Sequence, residues 1–377
     1  LLVEKIFMKL TVKILIIIIF ISNSLLAQIA PKYSNEFLAI GVGSRALGMG
    51  NSVVASVDDI NSVYWNPAAL NKLDKQIEIG AMHSEYFAGI AKYDFVGVSY
   101  KIDEKSAAGV SMIRFGVDDI PNTLDLIDSD GNIRYDRISS FSVADYAFLF
   151  TYSRALPIEG LSVGGNVKLI RRNAGDFADA WGFGLDASAI YNIKNWKFGA
   201  NLRDVTSTFN AWQFNQELLR DVFEATGNDV PENGLEITLP RLLLGGGYMY
   251  NISDNFSLYS ELGMLITTDG KRNTLIKTNI FSIDPSLGLE FGFKNMVFIR
   301  TGVNNFQQIP EYDNTNSFSW QPNIGVGINV YGFRLDYALT DIGNQSIALY
   351  SHIFSLSYRF NTDGLFSNNS QARILLD

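Results

Sequence analysis

Cysteine is absent from the 377 residues, and histidine occurs only twice, as His83 and His352. Without cysteine there is no disulfide, no thiolate metal site and no residue for a lipoprotein anchor, so the fold must hold without staples. Two histidines far apart in the chain assemble neither a zinc site nor a serine triad. No catalytic residue, cofactor or metal is expected, because no convergent nucleophile or acid–base set is visible. Positive charge is also scarce, with 30 Lys and Arg against 39 Asp and Glu. That balance excludes nucleic acid as a partner, which needs a basic surface. After the first 27 residues no apolar run reaches the length of a transmembrane helix.

The first residues have the form of an export signal. Lys5, Lys9 and Lys13 lead into an apolar run from Ile14 to Ile21, and Ala27 offers a small residue for cleavage before Gln28. Met8 makes a tidier start than Leu1. Removing 1–27 takes away three lysines and Glu4, leaving 27 basic against 38 acidic residues, a net charge of −11.

What the chain has in quantity is aromatic residues and glycine: 26 Phe, 17 Tyr and 32 Gly. Many segments alternate with period two. Phe354, Leu356, Tyr358 and Phe360 alternate with Ile353, Ser355, Ser357 and Arg359, and Phe333, Leu335, Tyr337 and Leu339 with Arg334, Asp336, Ala338 and Thr340. One face suits lipid and the other a polar or small-residue lumen. A soluble sandwich also alternates, but with its polar face outward. The connections separate the two. Strands are expected near 75–83, 93–102, 105–116, 143–155, 160–172, 179–193 and 195–204. Seven more are expected near 240–251, 255–264, 283–293, 296–304, 319–330, 332–340 and 347–360. Tight turns at 103–105, 156–160, 194–195, 253–255, 294–295 and 331–332 alternate with longer loops, notably 117–142, 205–239, 265–282 and 305–318. This rhythm predicts an all-β, transmembrane antiparallel β-barrel of about 14 strands, with short periplasmic turns and long extracellular loops. The loop 205–239 is expected to carry a short amphipathic helix over the mouth, with Trp212, Leu218, Leu219 and Phe223 on one side and Gly227 as its stop. With Phe214 these form a candidate partner-binding surface.

Three short patterns look like chemistry. "GVGSRA" at 41–46 imitates a dinucleotide fingerprint, but a strand-rich chain offers no βαβ unit to hold it. Asp58-Asp59 with Asn61, and "DSDGN" at 128–132, read as turns before they read as cation sites. The glycines of "LLLGGGYMY", Leu242–Tyr250, would permit a kink that opens the wall, or provide packing room.

The block Gly43–Leu70 is the specific feature. Ser44-Arg45-Ala46-Leu47-Gly48-Met49-Gly50, then Asp58-Asp59, then Trp65-Asn66-Pro67-Ala68-Ala69-Leu70 resembles the N-terminal signature of the PorV/PorQ family of Bacteroidetes outer-membrane proteins, which are similar to FadL-type barrels. The resemblance implies a cell outer-membrane barrel, reached by Sec-dependent export, whose N-terminal segment forms a hatch in the lumen. The expected divisions are 1–27 signal, 28–73 hatch, 74–360 barrel and 361–377 periplasmic tail. Gly41, Gly43, Gly48 and Gly50 would allow close approach to the wall, and Asn66-Pro67 would stop the segment before the first strand. The implied role is non-enzymatic, in type IX protein secretion and sorting. The partners would be outer-membrane lipid and proteins of the secretion machinery or its cargo. The alternative is FadL-like transport of a hydrophobic ligand.

Overall fold

The computed structural model describes residues 34–128, 130–310, 315–342 and 351–362. The expected signal at 1–27, and the tail beyond Thr362, lie outside the described residues. Among the described residues three short α-helices are present, α1 (Ser44–Gly48), α2 (Ser62–Trp65) and α3 (Gln216–Thr226). The first seven strands are β1 (Ile77–Tyr86), β2 (Ala91–Lys101), β3 (Ser106–Asn122), β4 (Ser139–Ala155), β5 (Leu161–Ala174), β6 (Ala178–Ile193) and β7 (Trp196–Arg203). Then come β8 (Thr208–Phe214), β9 (Gly234–Thr238), β10 (Arg241–Asn251), β11 (Phe256–Thr267) and the two-residue β12 (Ile276–Lys277). The series ends with β13 (Ser282–Phe293), β14 (Val297–Pro310), β15 (Asn316–Val330), β16 (Phe333–Thr340) and β17 (Ser351–Phe360).

Fourteen of these close a barrel. Each pairs antiparallel with its neighbour, β7 passes directly to β10, β11 to β13, and β17 returns to β1 with Ile77 opposite Phe360. Closure leaves no free edge. All fourteen coincide with the strands expected from alternation. The strands β8 and β9 and the short β12 belong to the long connections and extend the sheet above β6 and β13.

Burial runs inside out. Leu335, Leu356, Val326 and Ile328 are each about half exposed on the outer face, while Ser357, Asp336, Arg300 and Glu290 on the opposite face are buried. A sandwich would show the reverse, so the apolar outer face identifies a barrel made for lipid. Tyr100, Tyr152, Trp196, Tyr250 and Phe333 are exposed near the tight-turn rim, where aromatic side chains mark the membrane boundary. The other rim carries the long connections, although its crossings at 87–90 and 175–177 are tight, and the loop expected at 305–318 is shortened to 311–315 because β14 runs on to Pro310 and β15 begins at Asn316.

The cluster of buried apolar residues is built around the N-terminal segment. Val42, Met49, Val63, Ala68 and Leu70 are fully buried and meet inward-facing residues such as Met82, Tyr93, Ile113 and Ile170. Tyr64 and Trp65, which look exposed in the sequence, are also buried, at 5% and 3%.

Candidate functional site

The segment from Ser34 to Leu73 is mostly irregular, and the wall satisfies its backbone. Asn166 Nδ2 donates to Val63 O at 2.8 Å, Asn201 Nδ2 to Trp65 O at 3.0 Å, and Ala68 N to Ser188 Oγ at 2.8 Å. On the opposite wall Ser44 N donates to Ser355 Oγ at 2.8 Å and Ala55 N to Glu261 Oε1 at 2.8 Å. A buried backbone group without a partner is costly, so these lumen-facing Asn, Ser and Glu side chains do for irregular chain what a ladder does for a strand.

Glycine sets the distance of approach. Gly48 lies against Gly325, where a Cβ would come within 3.0 Å of the Gly325 Cα; a Cβ on Gly164 would come within 2.6 Å of Ala68 N. Gly50, with φ 60°, turns the chain beside Val303. Two of the three glycines of Leu242–Tyr250, Gly245 and Gly247, serve the same purpose. The strand β10 keeps unbroken register with β7 and β11, and a Cβ at Gly245 would meet Glu261 Oε1 at 2.6 Å, so they give room and no kink.

The predicted motif residues come together on this wall. Arg45 donates from Nε and Nη2 to Glu290 Oε2 and Oε1 at 2.8 and 3.0 Å. Arg300 donates from Nε to the same Glu290 at 2.6 Å and from Nη1 to Asp336 at 2.7 Å. Arg334 continues from Asp336, at 2.9 Å, to Asp58 and Asp59 at 3.4 and 3.5 Å. Arg359 then reaches the Asp58 carbonyl and Glu78. A chain of alternating charges thus starts and ends in the N-terminal segment and crosses three strands between. Asp58 and Asp59 are ion-pair partners, beyond the turn the sequence suggested. Among the described residues no group of three or more His, Asp or Glu could hold a metal ion.

Trp65 donates from Nε1 to Val42 O at 2.7 Å and meets Tyr64 edge-on, and Arg203 lies 3.9 Å above the Tyr64 ring. Asn66-Pro67 does more than stop the segment. Asn66 ends α2, its side chain accepts from Ala68 N, and Pro67 begins a further 3-10 turn, Pro67–Lys72. Met49 is fully buried beside Gly288.

The loop surface requires a correction. Trp212 and Phe214 lie on β8, and the helix begins only at Gln216, capped by Asn215 accepting from Leu218 N and ended by Gly227 at φ 71°. Trp212 is held in place: its Nε1 donates to Glu236 at 2.8 Å, and Arg172, paired with Glu236 and Asp145, lies over its ring. On α3, Leu219 is buried, Phe223 half-buried and Leu218 exposed. His83 and His352 face outward beside Asp94 and Tyr337. In "DSDGN" Asp128 Oδ1 accepts from Asp130 N and Asn132 N, and Ser129 lies outside the described residues.

At the long-loop rim Glu36 accepts from Arg241 at 2.9 Å and Arg272 at 3.2 Å, and Arg272 also binds Asp269. Burial alone would raise the Asp269 pKa, but Arg272 outweighs it and holds the carboxyl below its ordinary value. Beside this group a cavity of about 620 Å³ opens between the N-terminal segment and β11, β13, β14 and β15.

The charged wall residues Glu290, Arg300 and Asp336 are not part of the sequence-level motif. Their signal is the presence of charge at lumen positions of strands whose alternate residues are apolar.

The sequence profile described as "Type IX secretion system protein PorV" matches residues 28–212. Among solved structures, the chain is similar to the CymD monoaromatic hydrocarbon channel at 14% identity and TM-score 0.53, over 85% of this chain and 98% of that one. It is also similar to the P. putida toluene transporter TodX at 12% identity and TM-score 0.52, over 85% and 99% of the two chains. At these identities the likeness is one of fold. No curated protein sequence matches significantly. Residues 28–212, just under half of the chain, are thus similar to the type IX secretion system protein PorV, and the barrel shares its fold with the CymD and TodX channels.

Proposed function

We propose that the protein is a non-enzymatic component of type IX protein secretion and sorting, reaching the outer membrane after Sec-dependent export. In this reading residues 28–73 act as a hatch that keeps the lumen shut, and the long-loop face meets translocated proteins or translocon subunits. The family match over both the N-terminal segment and the first half of the barrel carries it. The seating of Arg45, Asp58 and Asp59 in a continuous ionic chain supports a lumen that stays filled. The exposed Leu218 on α3 supports a working surface on loop 205–239.

Transport of a hydrophobic molecule is the alternative, favoured by the likeness to the CymD and TodX barrels. Against it stand the unkinked β10 wall and a mouth cavity about half of whose lining residues are amides or charged.

The test is a photoreactive residue in place of Leu218 in the living cell. The secretion reading expects adducts with proteins carrying type IX C-terminal signals or with translocon subunits. An intact barrel that yields no such adduct, in a strain whose deletion abolishes uptake of aromatic hydrocarbons, would favour the alternative.

A further inference from the structure

We propose that the cavity at the long-loop mouth is a binding site for a neutral, hydroxyl-rich ligand, an oligosaccharide.

The wall of this cavity departs from barrel geometry where a site would require it. Side chains of a strand alternate between lumen and lipid, yet the consecutive residues Asn304 and Asn305 both line the cavity. The cause is a bulge. Pairing of β14 with β15 shifts register between Asn304 and Gln307, and Asn305 takes φ 53°. A bulge re-aims a side chain in this way. Phe306 is left to stack on Phe318, ring centroids 6.0 Å apart.

The re-aimed amides are ordered among themselves. Gln307 Nε2 donates to Asn305 Oδ1 at 2.7 Å, Asn305 Nδ2 to Gln321 Oε1 at 3.5 Å, and Asn323 Nδ2 to Asn304 Oδ1 at 2.9 Å. This relay uses both ends of Asn305 and one end of each other amide. Gln307 Oε1, Gln321 Nε2 and Asn304 Nδ2 have no protein partner among the described residues. With Asn323 Oδ1, also without a protein partner among the described residues, two acceptors and two donors therefore remain on a fixed patch. A hydroxyl is both donor and acceptor and matches such a mixed set.

Charge and shape narrow the class. The cavity's arginines, Arg241 and Arg272, are already paired with Glu36 and Asp269, which leaves no free cation for an anionic ligand. At the same cavity the Oδ1 of Asp284, without a partner among the described residues, is a further acceptor for a hydroxyl. An apolar ligand would strand the amides without partners, and a site built to hydrogen-bond rejects such a ligand strongly. The amides converge from two adjacent strands on one patch, which suits the several hydroxyls that one sugar ring of the oligosaccharide carries. Tyr86 and Phe87 stand at the same cavity, Phe87 half exposed, and supply aromatic surface for the C–H side of a sugar. The volume of about 620 Å³ is that of an ordinary small-molecule site.

The inference does not rest on the secretion reading. Its test is saturation-transfer NMR and calorimetry on the full chain in a sugar-free polyoxyethylene detergent, with maltotriose and chitotriose as probes. Saturable binding by at least one trisaccharide is expected, weakened at least tenfold by Asn305→Gly, which keeps the positive φ, and by Gln321→Ala. Heat-modifiable migration on gels identifies any variant that fails to fold, and the other then decides. No saturable binding of either sugar, binding indifferent to the folded variants, or equal binding of triglycine or toluene would each overturn the proposal.

Discussion

Arg45 in α1 and Glu290 in β13, 245 residues apart, form a two-bonded ion pair in which both side chains are less than a tenth exposed. Glu290 is shared with Arg300, so the wall holds a charge that only the N-terminal segment completes. Removing one partner of a buried pair costs about 3–5 kcal/mol where the other charge is left uncompensated; here Arg300 still pairs with Glu290, so the loss falls short of that. Arg45→Ala is therefore expected to lower the temperature at which the barrel unfolds on gels. It should also raise conductance in planar bilayers towards that of a chain lacking 31–70. Unchanged conductance in both would count against the hatch.

Close packing makes a second expectation specific to one face of the sheet. Gly164→Val should unseat the segment, since its Cβ would press on the Ala68 amide. Gly246→Ala should be silent, because the nearest atom to its Cβ is 3.8 Å away on Phe198. Protease cleavage within 34–73 in detergent measures both, and equal cleavage of the two variants would refute the packing argument.

Trp65→Phe retains most of the ring but leaves the Val42 carbonyl without its donor. An unsatisfied buried group costs about 1–3 kcal/mol. A modest fall in thermal stability with normal assembly is expected, and Trp65→Ala should be worse, adding a cavity to the lost bond.

The rim should respond to acid. Asp269 has a lowered pKa, so its pairing with Arg272 contributes fully above the ordinary carboxylate range. That contribution is lost as pH falls below about 4 and through the native value. Because the chain has no cysteine, Asn273→Cys offers a unique spin-label site on this exposed loop. Its mobility should rise between pH 5 and 3, and in the Asp269→Asn background it should already be high at pH 7.

On α3 two neighbouring leucines should behave differently. Leu219→Asp buries a charge and should disorder the loop, while Leu218→Asp should leave the protein folded and weaken partner capture. Cross-linking yields beside circular dichroism separate the two effects.

The strands were legible because a lipid-facing wall imposes period two on every crossing, and Phe354-x-Leu356-x-Tyr358 states that period plainly. The start of α3 was misplaced because Trp212 and Leu219 lie seven residues apart, a spacing a helix also gives. Asn215, an N-cap four residues before Leu219, marks the true start. The ionic chain was not legible as a unit. Its members, Arg45, Glu290, Arg300, Asp336 and Arg334, meet only when the barrel closes around the N-terminal segment, and no local pattern encodes that meeting.

The most direct test of the secretory role is quantitative proteomics of surface and periplasm in a deletion strain, following proteins with type IX C-terminal signals. The account predicts that they leave the surface and accumulate in the periplasm, and that the intact gene, but not Leu218→Asp, restores them. Normal surface delivery in the deletion, with loss of hydrocarbon uptake, would contradict it.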